Sequence, residues 1–150
     1  RTGHTIRLVK DLQVKHLKKW RLADMLATDL WRRAMPWTEL MLREGRMVND
    51  LNIKTSDRIS VFLAFLPLVL LSTAGIWPRL FSAALAISAV AMILMVALNA
   101  GLFRFFLRER GALFALRAIP VYWVFLLTGG LGFSLGLLRH GLRRNRDGGR

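Results

Sequence analysis

The residues of this 150-residue chain best suited to chemistry stand together near its front, in the run His16-Leu17-Lys18-Lys19-Trp20. Adjacent ammonium groups on Lys18 and Lys19 attract anions, lipid headgroups among them. The Trp20 indole suits a membrane–water interface, where one end of the ring is dry and the other wet. His16 can bond a backbone group or change charge near neutral pH. Little else carries chemistry. His4 and His140 have no partners in the sequence. No D-x-D occurs; Asp50-Leu51-Asn52 gives D-x-N just ahead of an apolar run and reads as a turn or cap. Nucleophile sets of the Ser/His/Asp or Cys/His kind have no support, and there is no Gly-rich phosphate loop. With no Cys, disulfides and thiolate zinc or iron–sulfur sites are excluded.

The elements that must carry these residues follow from composition. A net charge of +14 accompanies 54% hydrophobic residues. A disordered basic tail would be poor in apolar residues, so that class is excluded. Charge and apolar sequence are separated along the chain. Residues 1–58 hold 13 of the 23 basic and 7 of the 9 acidic residues, residues 59–138 are mostly apolar, and 139–150 hold five Arg and one Asp. A polar piece is therefore followed by a membrane piece and a basic tail, which is expected to be disordered. The first residue is Arg and no signal peptide precedes it, so a preceding segment is expected.

Three stretches approach the 20 or so apolar residues that a bilayer crossing needs. They are 59–77 (ISVFLAFLPLVLLSTAGIW), 80–103 (LFSAALAISAVAMILMVALNAGLF) and 119–138 (IPVYWVFLLTGGLGFSLGLL), none with a charge. Trp77-Pro78-Arg79 makes a tight turn, so the first two form a helical hairpin. Thr55 or Ser56 can cap the first span, and Pro67 should kink it. Ala83, Ala84, Ala86, Ala89 and Ala91 make the second smooth enough for close packing. Gly132 and Gly136 form a GxxxG in the third, a motif common in apolar runs. Basic flanks place the N-terminal side and the loop with Arg104, Arg108, Arg110 and Arg117 in the cytoplasm. A third full crossing leaves the Arg-rich tail outside, against the same rule. Either the tail is an exception, or the third stretch is re-entrant and broken near Gly129-Gly130. Residues 103–118 read as an interfacial segment, with Phe and Leu in lipid and Arg at the headgroups.

The front end reads as the last part of a larger domain. TIRLV (5–9) and LQVKH (12–16) alternate like two short strands, which need further strands to be stable. Residues 21–58 read as amphipathic interface helices. Leu22, Met25, Leu26 and Leu30 share one helical face, and a second piece starting at Pro36 brings Trp37, Leu40 and Met41 together. With Trp20, Trp31 and Trp37 among Lys and Arg, these helices are expected at the membrane surface.

The run HLKKW (16–20), the helix after it and MPWTELMLREGRMVNDLNI (35–53) resemble the C-terminal part of bacterial membrane-bound family 2 glycosyltransferases. FRFFLRERGALFALRAIPVYW (103–123) is also similar to the tail of those proteins. The resemblance implies the fold class: mainly α and membrane-bound, with two terminal strands left from a GT-A-type α/β domain (1–20), amphipathic interface helices, then two to three transmembrane helices. It implies an enzyme of the bacterial inner membrane with its N-terminal part cytoplasmic. His16, Lys19 and Trp20 take the places of the Gln, Arg and Trp of the QxxRW motif, which lines the acceptor end of the sugar site in processive relatives. Departure at two of three positions favours transfer of one sugar over polymer synthesis. In some relatives a His ending this strand is the third ligand of a divalent cation, Mg or Mn, and His16 matches it.

The implied reaction is inverting transfer from a nucleotide-sugar donor to a lipid or glycan acceptor. It needs a carboxylate base for the acceptor hydroxyl and cations for the diphosphate leaving group. Lys18 and Lys19 can supply charge and Trp20 can stack on a sugar. The base and the D-x-D are not in this chain, which alone is expected to be inactive. Two other classes compete. One is a non-enzymatic multi-pass membrane protein whose basic front end binds anionic lipid or a partner. The other is a tethered nucleic-acid binder, for which 7 acidic among 13 basic front-end residues dilute the charge; no nucleic-acid partner is expected.

Overall fold

The computed structural model describes residues 21–45 and 54–147, and all regular structure among them is helical. The two strands expected at 5–9 and 12–16 lie outside the described residues. A front helix comes first. It consists of α1 (Leu22–Ala27), a π-helical stretch (Thr28–Ala34) and α2 (Met35–Glu44), following one another without a break. Pro36 accounts for the wide middle. Its ring crowds the carbonyl four residues back and it has no N–H to donate. A wider turn, with the Met35 N–H bonded to the Leu30 carbonyl, lets the helix pass the ring. Gly45, at φ 63°, ends the helix in the left-handed conformation that suits glycine.

The first two apolar runs form the expected hairpin. Helix α3 (Thr55–Ile76) is joined through a 3₁₀ turn, Pro78–Leu80, to α4 (Phe81–Leu98). The start of α3 differs from expectation. Lys54, not Thr55 or Ser56, is the cap, and Asp57 completes it. The Lys54 N–H donates to Asp57 Oδ2 at 3.1 Å and the Asp57 N–H to the Lys54 carbonyl at 3.0 Å. The helix continues through Pro67, whose ring is buried. Small residues make the seam: Ser60, Ala64, Pro67 and Ala74 are buried on α3, and Ala84, Ser88, Ala91 and Met95 on α4. Spacings of three, four and seven put each set on one face. Lipid tails are as apolar as leucine, so close backbone approach, not hydrophobicity, holds such a seam. Ala83, Ala86 and Ala89 face outward instead.

Helix α4 stops at Leu98, short of the expected 103, because Asn99 bonds back onto it. Asn99 Nδ2 donates to the Met95 carbonyl and to Ser60 Oγ, both at 2.8 Å. A separate helix, α5 (Ala100–Arg110), follows and ends at Gly111. Gly111 has φ 83° and ψ 174°, a region essentially reserved for glycine. The chain reverses there into α6 (Ala112–Asp147). Rings knit the reversal, with Phe106 5.5 Å from Phe114 and Phe103 5.7 Å from Tyr122. Helix α6 is unbroken through Gly129-Gly130 and runs on to Asp147, through most of the stretch expected as a disordered tail.

Among the described residues three helices are long and apolar enough to cross a membrane: Thr55–Ile76, Pro78–Leu98 and Ala112–Arg143. Their most apolar windows are only 22%, 22% and 17% buried within the protein. Phe62, Val69, Ile76, Ile93 and Leu94 are among the large apolar side chains left outside, and the cluster of buried residues where the three helices meet is as small as Ala64, Met95 and Leu126. A chain that covers so little of its apolar surface fits an apolar surrounding.

Candidate functional site

His16, Lys19 and Trp20, the residues expected to bind substrate or metal, lie outside the described residues, with Lys18, Asp50 and Asn52. The described structure begins one residue past Trp20, at Arg21, and shows where the helix that follows the motif is fastened.

The front helix lies along α6, and the two run in the same direction. Ala34 and Leu30 meet Gly132, Thr38 and Met35 meet Gly136, and Glu39 meets Arg139 and Arg143. The glycines make this approach possible. A Cβ on Gly136 would stand 2.6 Å from Thr38 Cβ and 3.0 Å from the Met35 carbonyl, and one on Gly132 would collide with Ala34 Cβ. Thr38 is buried, and its hydroxyl donates to the Ala34 carbonyl of its own helix at 2.8 Å. That bond leaves Cβ and the methyl group to face the glycine. The GxxxG of the third apolar stretch is therefore occupied by a small-x-x-x-small pair, Ala34 and Thr38, on the front helix. Sequence reasoning passes over that pair, although its matching spacing is a signal that could find it. The expected grouping of Trp37, Leu40 and Met41 is not the packed face: Trp37 and Leu40 are exposed and Met41 is half-buried.

An ion-pair clamp closes the far end of this seam. Arg143 Nη1 donates to Glu39 Oε2 at 3.2 Å, and Arg139 Nε lies 3.1 Å from Oε1 without the alignment of a hydrogen bond. The Glu39 side chain is 13% exposed while both arginines are near half, so water screens the pair from one side only. Nearer the motif, Met25, Thr28, Asp29, Arg33 and Phe125 line an open cleft of about 340 Å³. Arg33 Nη1 bonds Asp29 Oδ1 at 3.3 Å, one helical turn away. The cleft thus has a charged wall and an apolar wall, which suits an amphiphile better than a wholly polar ligand.

A second polar group ties α6 to the hairpin. Tyr122 donates to Asn99 Oδ1 at 2.7 Å, and Asn99 in turn reaches Ser60. One turn deeper, Trp123 Nε1 donates to the Ala64 carbonyl at 2.8 Å. That carbonyl follows directly on the Leu63 carbonyl, whose helical donor is lost because Pro67 stands four residues on. The indole therefore adds a donor beside the weakest point of α3, as apolar surroundings require. Gly130 passes against Val61 and Phe65. Among the described residues no group of three or more His, Asp or Glu gathers as a ligand set.

Depth matters for the charges on the front helix. An arginine or aspartate at the centre of a bilayer costs about 2.5–3.5 kcal/mol each on insertion scales. Asp29, Arg32 and Arg33 fall beside the middle of the third apolar stretch, between the contacts at Phe125 and Gly136, and Arg32 and Arg33 are exposed. Compared with known protein families, with curated proteins and with solved structures, the chain finds no match.

Proposed function

We propose that this chain is the membrane-anchoring, acceptor-side end of an inverting glycosyltransferase that moves one sugar from a nucleotide-sugar donor to a lipid or glycan acceptor. The observation that carries this reading is the order of motifs: HLKKW at 16–20, then the PWT and NDLN segments, then the apolar spans. The arrangement of the helices is consistent with it. The motif leads within two residues into α1, and the front helix is bound to α6 through a glycine seam and a charge clamp. A sugar site at the end of such a helix would be held at a fixed height over the bilayer, which shortens the path of a lipid acceptor to its donor. The cleft at Met25, Thr28 and Phe125 would receive the acceptor lipid. Lys18 and Lys19 would face the diphosphate and Trp20 the sugar ring. A Mg or Mn ion, held by His16 together with groups of the preceding domain, would neutralise the leaving diphosphate. The proton from the acceptor hydroxyl would go to a carboxylate of that same domain.

The test is sugar transfer by the protein carrying its complete catalytic domain, in native membranes. Trp20→Ala and His16→Ala are expected to lower the rate by on the order of tenfold or more, with membrane insertion unchanged. Full activity in both variants would remove the site assignment and favour a non-enzymatic membrane protein whose basic front end binds anionic lipid.

A further inference from the structure

Three observations bear on how many times the chain crosses the bilayer. The first is length. At 1.5 Å per residue, the 22 residues of α3 make a helix about as long as the hydrocarbon core is thick, whereas the 36 residues of α6 far exceed it. The second is where α6 touches the hairpin. Its contacts gather at the open end: Tyr122 with Asn99, Trp123 with the Ala64 carbonyl, and Gly130 with Val61 and Phe65. Trp123 and Gly130, about 10 Å apart along the axis of α6, both meet the same turn of α3, so these contacts between α6 and α3 are gathered at one place and do not extend along the span. From Gly132 to Arg143, α6 is instead given over to the front helix. The third is what the front helix carries. Had α6 crossed upward from Tyr122, Asp29, Arg32 and Arg33 would travel with it to mid-bilayer, where Arg32 would incur the penalty stated above in full and Asp29 and Arg33 would be carried in as a pair. Two of those side chains would face lipid, since Arg32 and Arg33 are exposed and only Asp29 and Arg33 pair with each other.

The charge distribution points the same way. A crossing puts Arg139 and Arg143, with the Arg residues after them, on the side opposite the basic front end. A helix broken at Gly129-Gly130 would avoid this, but α6 is continuous there. A continuous helix that stays in one leaflet avoids it too.

We propose that only α3 and α4 cross the bilayer, and that the front helix and α6 form a paired surface element seated in the leaflet on the side of Lys54, against its anionic headgroups. The outward stripe of α6, with Leu131, Leu135 and Leu138, enters the acyl boundary, and residues 141 and 142 lie beyond it in the headgroup region. Trp31 and Trp37 lie at the headgroup level, where indoles are favoured. Arg32 and Arg43 meet lipid phosphates. Helix α5, with Arg104, Arg108 and Arg110, continues the same basic surface. This rests on the membrane reading above and adds to it, for the described residues, a two-crossing topology with the front helix and the end of α6 on one side.

Single cysteines test it, because the chain has none of its own. Lys54→Cys, Arg79→Cys, Gly141→Cys and Leu142→Cys all replace exposed residues. Each variant is made in the full protein, with the unsubstituted protein as the background control. Right-side-out vesicles are treated with a membrane-impermeant maleimide before and after lysis. In parallel, a green fluorescent protein fused after Arg150 reports the side of the tail, since it becomes fluorescent only in the cytoplasm. The expected result is that Arg79→Cys labels before lysis, that Lys54→Cys, Gly141→Cys and Leu142→Cys label only after it, and that the fusion fluoresces. Labelling of residues 141 and 142 together with 79, or a dark fusion, overturns the two-crossing topology while leaving a membrane protein. Labelling of 54 and 79 from the same side overturns the hairpin crossing itself, and with it the membrane reading.

Discussion

Replacing Gly132 or Gly136 by alanine should loosen the front helix, while the same change at Gly129 should not. All three glycines sit inside one helix, so intrinsic propensity favours alanine at each by about 0.5–1 kcal/mol. At Gly129 nothing lies within 4 Å of the added methyl group, and the gain should be realised. At Gly136 the methyl would sit 2.6 Å from Thr38 Cβ, whereas carbon atoms settle about 3.5–4.0 Å apart. The deficit is about 1 Å, and the obstructing atoms are a Cβ and a carbonyl that no rotamer change can move. The helices must separate, at an overpacking cost of about 1–3 kcal/mol. Gly129→Ala and Gly136→Ala should therefore differ by about 1–3 kcal/mol, because the propensity gain is common to both and only the overpacking cost separates them. Unfolding in mild detergent, followed by intrinsic Trp fluorescence, reads this. The combination Ala34→Gly with Gly132→Ala moves the methyl group from one helix to the other and should recover most of the loss. Equal stability of the three single alanine variants would refute the seam as described.

Glu39→Gln keeps the shape but removes the charge facing Arg139 and Arg143, and should lower stability by about 1 kcal/mol with a weaker dependence on salt; denaturant titration at two ionic strengths measures both. Tyr122→Phe deletes the donor to Asn99 and should cost about 0.6 kcal/mol, the mean for hydrogen bonds between membrane helices, rising toward about 1.7 if the Asn99 carbonyl oxygen finds no other partner. Gly111→Ala forces a side chain into a glycine-only conformation and should cost about 1–3 kcal/mol, seen as faster proteolysis between α5 and α6.

Much of the fold is legible in the sequence because a bilayer demands long uncharged runs, and the chain has them. The hairpin with its Pro78 turn follows directly. The departures have local causes. The second span reads on to 103 because Ala100, Gly101 and Leu102 are as apolar as what precedes them; the stop comes from one side chain, Asn99, whose partners Ser60 and Tyr122 lie 39 and 23 residues away. The tail reads as disordered from its charge, yet Glu39 gives its first arginines a partner that no local reading of 139–150 contains. The GxxxG carries little weight alone because it recurs in apolar sequence. What gives it meaning is a second small pair, Ala34 and Thr38, with the same spacing about 100 residues earlier. For the proposed substrate site only the residue types and spacing of His16, Lys19 and Trp20 are legible, since all three lie outside the described residues.

The clamp at Glu39 also has a consequence in time. Its partners emerge from the ribosome about a hundred residues later, since Glu39 and Arg143 are 104 positions apart. At roughly 5–20 residues per second, the front helix waits about 5–20 s for its counterpart. During that interval its seam face, Ala34 and Thr38, has no glycine groove to enter, and Glu39 has no arginine. Any catalytic domain made ahead of it would have folded before its anchor is complete. Docking of the front helix onto α6 therefore has to wait for the synthesis of residues 132–143, and a nascent chain cut before Gly132 would carry its hairpin but not its fastening.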